Sequence, residues 1–151
     1  MVQQKVVWVG IVAILSLFIS AQLFAQSDVI KQRQKLMKSN SAATKALKKA
    51  FAQGDYATVK AKANVIAGNM DKVQALFPKG STSDKSRAKP VIWEKWDQFS
   101  KEPAKVKAAA RELAEVAATK DEMRVGEKFV AFGMACGKCH KTFRGPRKKK
   151  K

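Results

Sequence analysis

The sequence predicts an all-α protein, an antiparallel four-helix bundle, and three observations carry that prediction. Apolar residues recur at spacings of three and four along four stretches, and no alternating strand pattern interrupts them. Ala and Lys, both strong helix formers, dominate the composition, while 8 Gly and 4 Pro in 151 residues leave few turn signals. Finally, 46% hydrophobic and 28% charged residues supply one packed core and are too apolar a mixture for a disordered chain.

The first segment is set apart from the fold. Lys5 is its only charge, and the apolar stretch Val6 to Ala21 follows it, the layout of a secretory signal. Residues 1–25 are therefore read as a signal peptide cleaved after Ala25, with Ala21 as an alternative site. An uncleaved anchor is the competing reading, because about 20 helical residues cross a hydrocarbon core. The run ends in Ser, Gln and Ala instead of a basic stop-transfer cluster, which favours cleavage and export to the periplasm. Residues 26–146 then form the helical domain and 147–151 a basic tail.

The first helix of the domain is expected to open at Ser27 or Asp28, both good N-cap residues. It places Ile30, Arg33, Met37, Asn40, Thr44, Leu47 and Phe51 on one face and ends at Gly54. Asp55 caps the second helix, whose inward positions Val59, Ala63, Ile66, Met70, Val73 and Phe77 continue until Pro78. Residues 78–90, rich in Pro, Gly and Ser, form the one long connection. A third helix starts at Val91 with Trp93, Trp96 and Phe99, read as core aromatics. It resumes through Val106, Leu113 and Val116, and Pro103 should kink or divide it near Glu102. Thr119 and Glu122 suggest a capping box for the fourth, which turns Val125, Phe129, Phe132 and Cys136 inward and runs toward Arg144.

The chemistry lies in that fourth helix, in Cys136-Gly137-Lys138-Cys139-His140, a C-x-x-C-H motif. Two thiols with two residues between them fall about one helical turn apart. Both can then add to the vinyl groups of one haem edge and hold it covalently, leaving His140 placed to ligate the iron. His140 is the only histidine, and two cysteines cannot complete a four-ligand zinc site. Two other readings of the pair are a thioredoxin-like dithiol, which belongs at a strand-to-helix turn of an α/β fold, and a plain disulfide.

Three segments resemble class II c-type cytochromes, the cytochrome c' family: Ile30 to Lys38, Arg87 to Trp93 with Phe99, and Cys136 to Arg144. In class I cytochromes c the motif lies near the N-terminus with a ligating Met after it, whereas here it lies near the C-terminus and no Met follows. The resemblance implies a four-helix bundle with one covalent haem c between helices, usually a homodimer through the first two. It implies that Arg33 approaches a haem propionate, with a surface arginine buried only along its stem as the alternative, and Arg144 is read likewise. Phe132 and Phe143 are expected to wall the pocket. Met37 would face the haem from the side opposite His140, and Lys35-Leu36-Met37-Lys38-Ser39-Asn40 is similar to the low-spin, methionine-ligated branch. Pro103 departs from the family's usual third helix.

Charge sets the remaining expectations. With 31 Lys plus Arg against 12 Asp plus Glu the net charge is +19, and Arg144 to Lys151 alone holds six cations in eight residues. An acidic redox protein or an anionic membrane surface is the expected kind of partner. Nucleic acid is excluded, since neither aromatic platforms nor a recognisable binding fold accompanies the charge. Acidic residues are sparse and unclustered, so no acid/base pair is available and no enzyme activity is expected. The leading function is electron transfer. The alternatives are a five-coordinate haem protein binding nitric oxide or carbon monoxide, and a thiol redox protein.

Overall fold

The computed structural model describes residues 2–146, with side chains from residue 27 onward. The side chains of the expected signal segment, and the expected basic tail at 147–151, lie outside the described residues. Among residues with described side chains, no helix is long and apolar enough to cross a membrane.

Helix α1 spans Val2–Ala52, so it does not open at Ser27 or Asp28 as expected. Those residues can cap only where a helix begins, and the preceding segment contains no Pro to start one afresh. Its end is as expected: Gly54 takes φ 68° and reverses the chain, and the Asp55 amide donates to Ala50 O at 2.9 Å. Helix α2, Tyr56–Met70, is capped by Asp55, whose carboxylate accepts from the Thr58 amide at 3.0 Å. It stops at Met70 instead of continuing to Phe77. A 3₁₀ turn, Gln74–Leu76, follows, tied down by the Gln74 side-chain Nε2 donating to Ser100 O, and it still delivers Val73 and Phe77 into the core.

The long connection carries Gly80 at φ 74° and leads to two single-turn helices, α3 (Val91–Glu94) and α4 (Trp96–Phe99). Helix α5, Glu102–Ala117, begins beside Pro103, which sits in the first turn where its missing N–H costs nothing. The third helix is thus divided at the expected place. Of its aromatics, Phe99 is buried and Trp93 half-buried, its indole donating to Phe77 O and Pro78 O. Trp96 is 37% exposed, so it lies at the edge of the core instead of inside it. Helix α6, Glu122–Phe143, is capped by Asp121, whose carboxylate accepts from the Arg124 amide at 3.1 Å. The expected cap Thr119 instead turns its hydroxyl to Val116 O at 2.8 Å, because Lys120 at φ 58° places the reversal one step later.

The four long helices pack in chain order, α1 on α2, α2 on α5 and α5 on α6. Their shared core includes Leu47, Val59, Ala63, Ala110, Leu113 and Val125, all at 0% exposure. Each such Leu or Val contributes about 1.5–3 kcal/mol by leaving water. Among the described residues there is no strand, only an isolated bridge between Ala88 and Arg144. That bridge belongs to a clasp. The Arg87 guanidinium donates to Gly145 O and Pro146 O, and the Lys89 amide donates to Phe143 O at 3.1 Å. Lys89 Nζ reaches Thr142 O at 3.2 Å, so the connection satisfies carbonyls that α6 leaves bare at its C-terminal end.

Candidate haem site

Helices α1 and α6 flank the site without being one of the closely packed helix pairs. They meet where Phe51 stacks on Phe129, ring centroids 5.7 Å apart, above the bare backbone of Gly126. Moving back along α1 from Phe51 to Met37, and forward along α6 from Gly126 to His140, covers equal lengths of helix. In an antiparallel pair, equal travel sets Met37 and His140 at about the same level.

The α6 face holds Cys136 and Cys139 as half-buried free thiols, with His140 half-buried beside them. Burial pushes both thiols up, Cys139 to about 11, with the Glu102 carboxylate adding to that rise. Burial, and then the charges of Arg144 and Arg87, push His140 down. At neutral pH the site therefore offers two protonated thiols and a neutral imidazole, the form that ligates a metal. A reactive dithiol needs lowered thiol values, commonly at a helix N-terminus, whereas this pair lies near the C-terminal end of α6 with raised ones. Among the described residues no strand leads into the pair, so the strand-to-helix turn of a thioredoxin-like dithiol is not found there. The plain disulfide is absent as well.

Phe132 and Phe143 are buried, at 1% and 4% exposure, and Phe143 meets Phe99 edge-on at 5.2 Å. On α1, Met37 is half-buried against the core, and Arg33 is buried whole at 3% exposure, so the stem-only alternative does not hold. Its guanidinium donates to Ser81 Oγ (3.0 Å), Ser81 O (2.6 Å) and Ser86 Oγ (2.8 Å) and lies over the Phe77 ring. No ion pair among the described residues includes Arg33. A buried cation held by neutral oxygens is suited to an anionic group arriving beside it. Arg144 is exposed, and its amide closes α6 by donating to His140 O at 3.0 Å.

Several site residues were not legible from the sequence. Ser81 and Ser86 sit in a loop where serine is ordinary, and nothing there announced that Arg33 reaches them. Glu102, 4% exposed and paired with Lys105 at 2.6 Å, approaches the thiols from α5; a glutamate before a proline reads only as a helix start. Asn69 on α2, which bonds Asn40 at 2.8 Å, carried no signal beyond its place on an amphipathic helix.

Two thiols a turn apart, a neutral imidazole, a buried guanidinium in no ion pair among the described residues and two loosely apposed helices fit a flat, anionic-edged haem. The profile of the Cytochrome C' family matches residues 28–144. The chain belongs to the cytochrome c' family. As a member it is a c-type haem protein with a covalently attached haem c. The cytochrome c' of Rhodopseudomonas palustris is 37% identical over 124 residues, 80% of this chain and 84% of that one. A solved structure of cytochrome c' from Rhodopseudomonas palustris superposes with a TM-score of 0.71 at 32% identity, covering 80% of this chain and 98% of that chain. The cytochrome c' of Pararhodospirillum photometricum is 39% identical over 83 residues, 54% of this chain. That match spans 66% of the relative, just under two thirds of its length.

Proposed function

We propose that this cytochrome c' family member is a periplasmic electron carrier and not an enzyme, its haem held by thioethers to Cys136 and Cys139. His140 is the proximal ligand and Met37 the sixth. The observation that carries the reading is the placement of Met37: a half-buried thioether on α1, at the level of His140 on the facing α6. Haem supplies one-electron exchange at its iron, and a Met/His pair makes that iron low-spin and raises its potential. The chain's own residues do the rest. The raised Cys136 and Cys139 keep their protons until attachment, and the lowered His140 presents a free ring nitrogen. Phe132 and Phe143 exclude water, and Arg33 lies buried on the α1 side of the site to receive a propionate, with Arg144 near the α6 end as a second cation.

The net charge, +19 for the whole chain and +18 without residues 1–25, selects an acidic redox protein as partner, with an anionic membrane surface as a second place of association. A homodimer through α1 and α2 is part of the proposal, supported by Val65, 46% exposed on α2. The test is the ferric and ferrous spectrum of the wild type beside Met37→Ala. A low-spin wild type turning high-spin in the variant is expected. A high-spin wild type, unchanged by the substitution and binding carbon monoxide readily, would overturn electron transfer and make gas binding the function.

A further inference from the structure

Met37 does not stand alone on α1. Three residues on, and so on the same face, the Asn40 amide nitrogen points at the Met37 sulfur from 4.0 Å. Which end of that amide faces the sulfur is settled from α2, where Asn69 Nδ2 donates to Asn40 Oδ1 at 2.8 Å. With its oxygen occupied as an acceptor, Asn40 has only its NH₂ left to turn toward Met37. Asn69 is itself steadied by a second bond, to Ser39 Oγ at 3.3 Å. The Thr44 hydroxyl donates to Asn40 O at 2.8 Å and fixes the same turn of α1.

We propose that Asn40, oriented by Asn69 across the α1–α2 interface, is a positioning residue that aims and tunes the Met37 thioether as an iron ligand. The inference rests on the reading that Met37 ligates iron. A methionine side chain has three rotatable bonds and no preferred shape, so its sulfur needs external direction to present one lone pair steadily. A thioether sulfur has two lone pairs. If one goes to iron, the other can accept the Asn40 N–H, which fixes the configuration at sulfur. The donated hydrogen bond also withdraws electron density from the sulfur, weakening its donation to ferric iron more than to ferrous. The relay therefore favours the reduced state and holds the potential up. Such outer partners of metal ligands change affinity by about 10–100-fold when removed.

The experiment uses the holoprotein of the full chain and compares wild type with Met37→Ala, Asn40→Leu, Asn69→Leu and Ser39→Ala. Haem content, ferric spin state, midpoint potential and thermal midpoint are measured for each. Asn40→Leu should keep its covalent haem and lower the potential; the lost aim of the thioether outweighs the donation the sulfur regains, so methionine ligation weakens by about 10-fold as read from the high-spin fraction. Asn69→Leu, which removes a bond to Asn40 and none to the sulfur, should shift both readouts in the same direction by less. Ser39→Ala removes only the second Asn69 bond and should leave both near wild type. If Met37→Ala converts a low-spin protein to high-spin while both asparagine variants keep wild-type spin state and potential, the relay is overturned and methionine ligation stands. If wild type and Met37→Ala share one high-spin spectrum, the ligation reading falls and the relay falls with it.

Discussion

The two ends of the face between α1 and α6 are built from the same helices and closed in opposite ways. At one end Phe51 lies flat on Phe129 over Gly126, with Leu47 and Val125 fully buried around them. At the other, Met37, Cys136, Cys139 and His140 are as half-buried as the two rings but bring ligating groups in place of a ring stack, and the buried Arg33 forms no ion pair among the described residues. Packing alone does not call for an imidazole and a guanidinium here, since both cost free energy to desolvate, and the sulfurs of Met37, Cys136 and Cys139 beside them are ligating groups as well as apolar ones. The closed end is finished by its own side chains. The open end is finished by what it binds, and the family assignment supplies that group as haem c.

The largest effect expected from breaking this contrast is at the open end. Replacing Cys136 and Cys139 together by Ala should abolish covalent haem entirely, read as absence of haem staining after denaturing electrophoresis. Helix content should persist, because neither thiol belongs to the fully buried core. Haem retained through denaturation by the double variant would remove the assignment. His140→Ala keeps both thiols, so the haem should stay attached while the spectrum changes.

Much of the closed end was legible in the sequence because packing writes a period. Leu47, Val59, Ala63, Leu113 and Val125 fall where three-and-four spacing puts them, and Asp55 and Gly54 mark a helix boundary by chemistry any chain must use there. The C-x-x-C-H motif was equally legible, since its spacing is set by the cofactor. What could not be read was the reach of side chains across the fold. Arg33 was recognised, but its tie to Ser81 and Ser86 depends on how a loop forty-eight and more residues away folds back. Thr119 was read as the cap of the fourth helix, and the cap falls to Asp121 because Lys120 adopts a positive φ. Asn40 was visible on the right face, whereas its partner Asn69 comes from another helix.

A middle-sized effect tests how the open end is held. Arg33→Leu fills the space but leaves Ser81 and Ser86 without their donor and removes the cation over Phe77. A loss of about 2–3 kcal/mol in unfolding free energy is expected, the scale of hydrogen bonds to a charged group. If Arg33 also receives a propionate, the holoprotein should lose more stability than the haem-free Cys136→Ala, Cys139→Ala background does. Equal losses in the two backgrounds would confine Arg33 to holding the loop.

The smallest effect compares a glycine at each end. Both Gly126 and Gly137 lie inside α6 with ordinary helical φ, so replacing either by Ala should gain helix propensity of about 1 kcal/mol. At Gly137 an added Cβ meets nothing within 4 Å, so Gly137→Ala should realise most of that gain. At Gly126 the Cβ would lie 3.5 Å from Phe51 Cζ, an ordinary van der Waals contact that needs no displacement. Gly126→Ala should therefore be stabilising too, by a similar or slightly smaller amount, with an unchanged haem spectrum. Gly126→Val adds methyl groups beyond that contact and should push Phe51 off Phe129, reversing the sign by about 1–3 kcal/mol. Paired chemical denaturation of the three variants reads the difference directly. A Gly126→Ala protein already less stable than wild type would mean that the stacked end has no room even for one methyl group, and that its closure is tighter than the 3.5 Å contact allows.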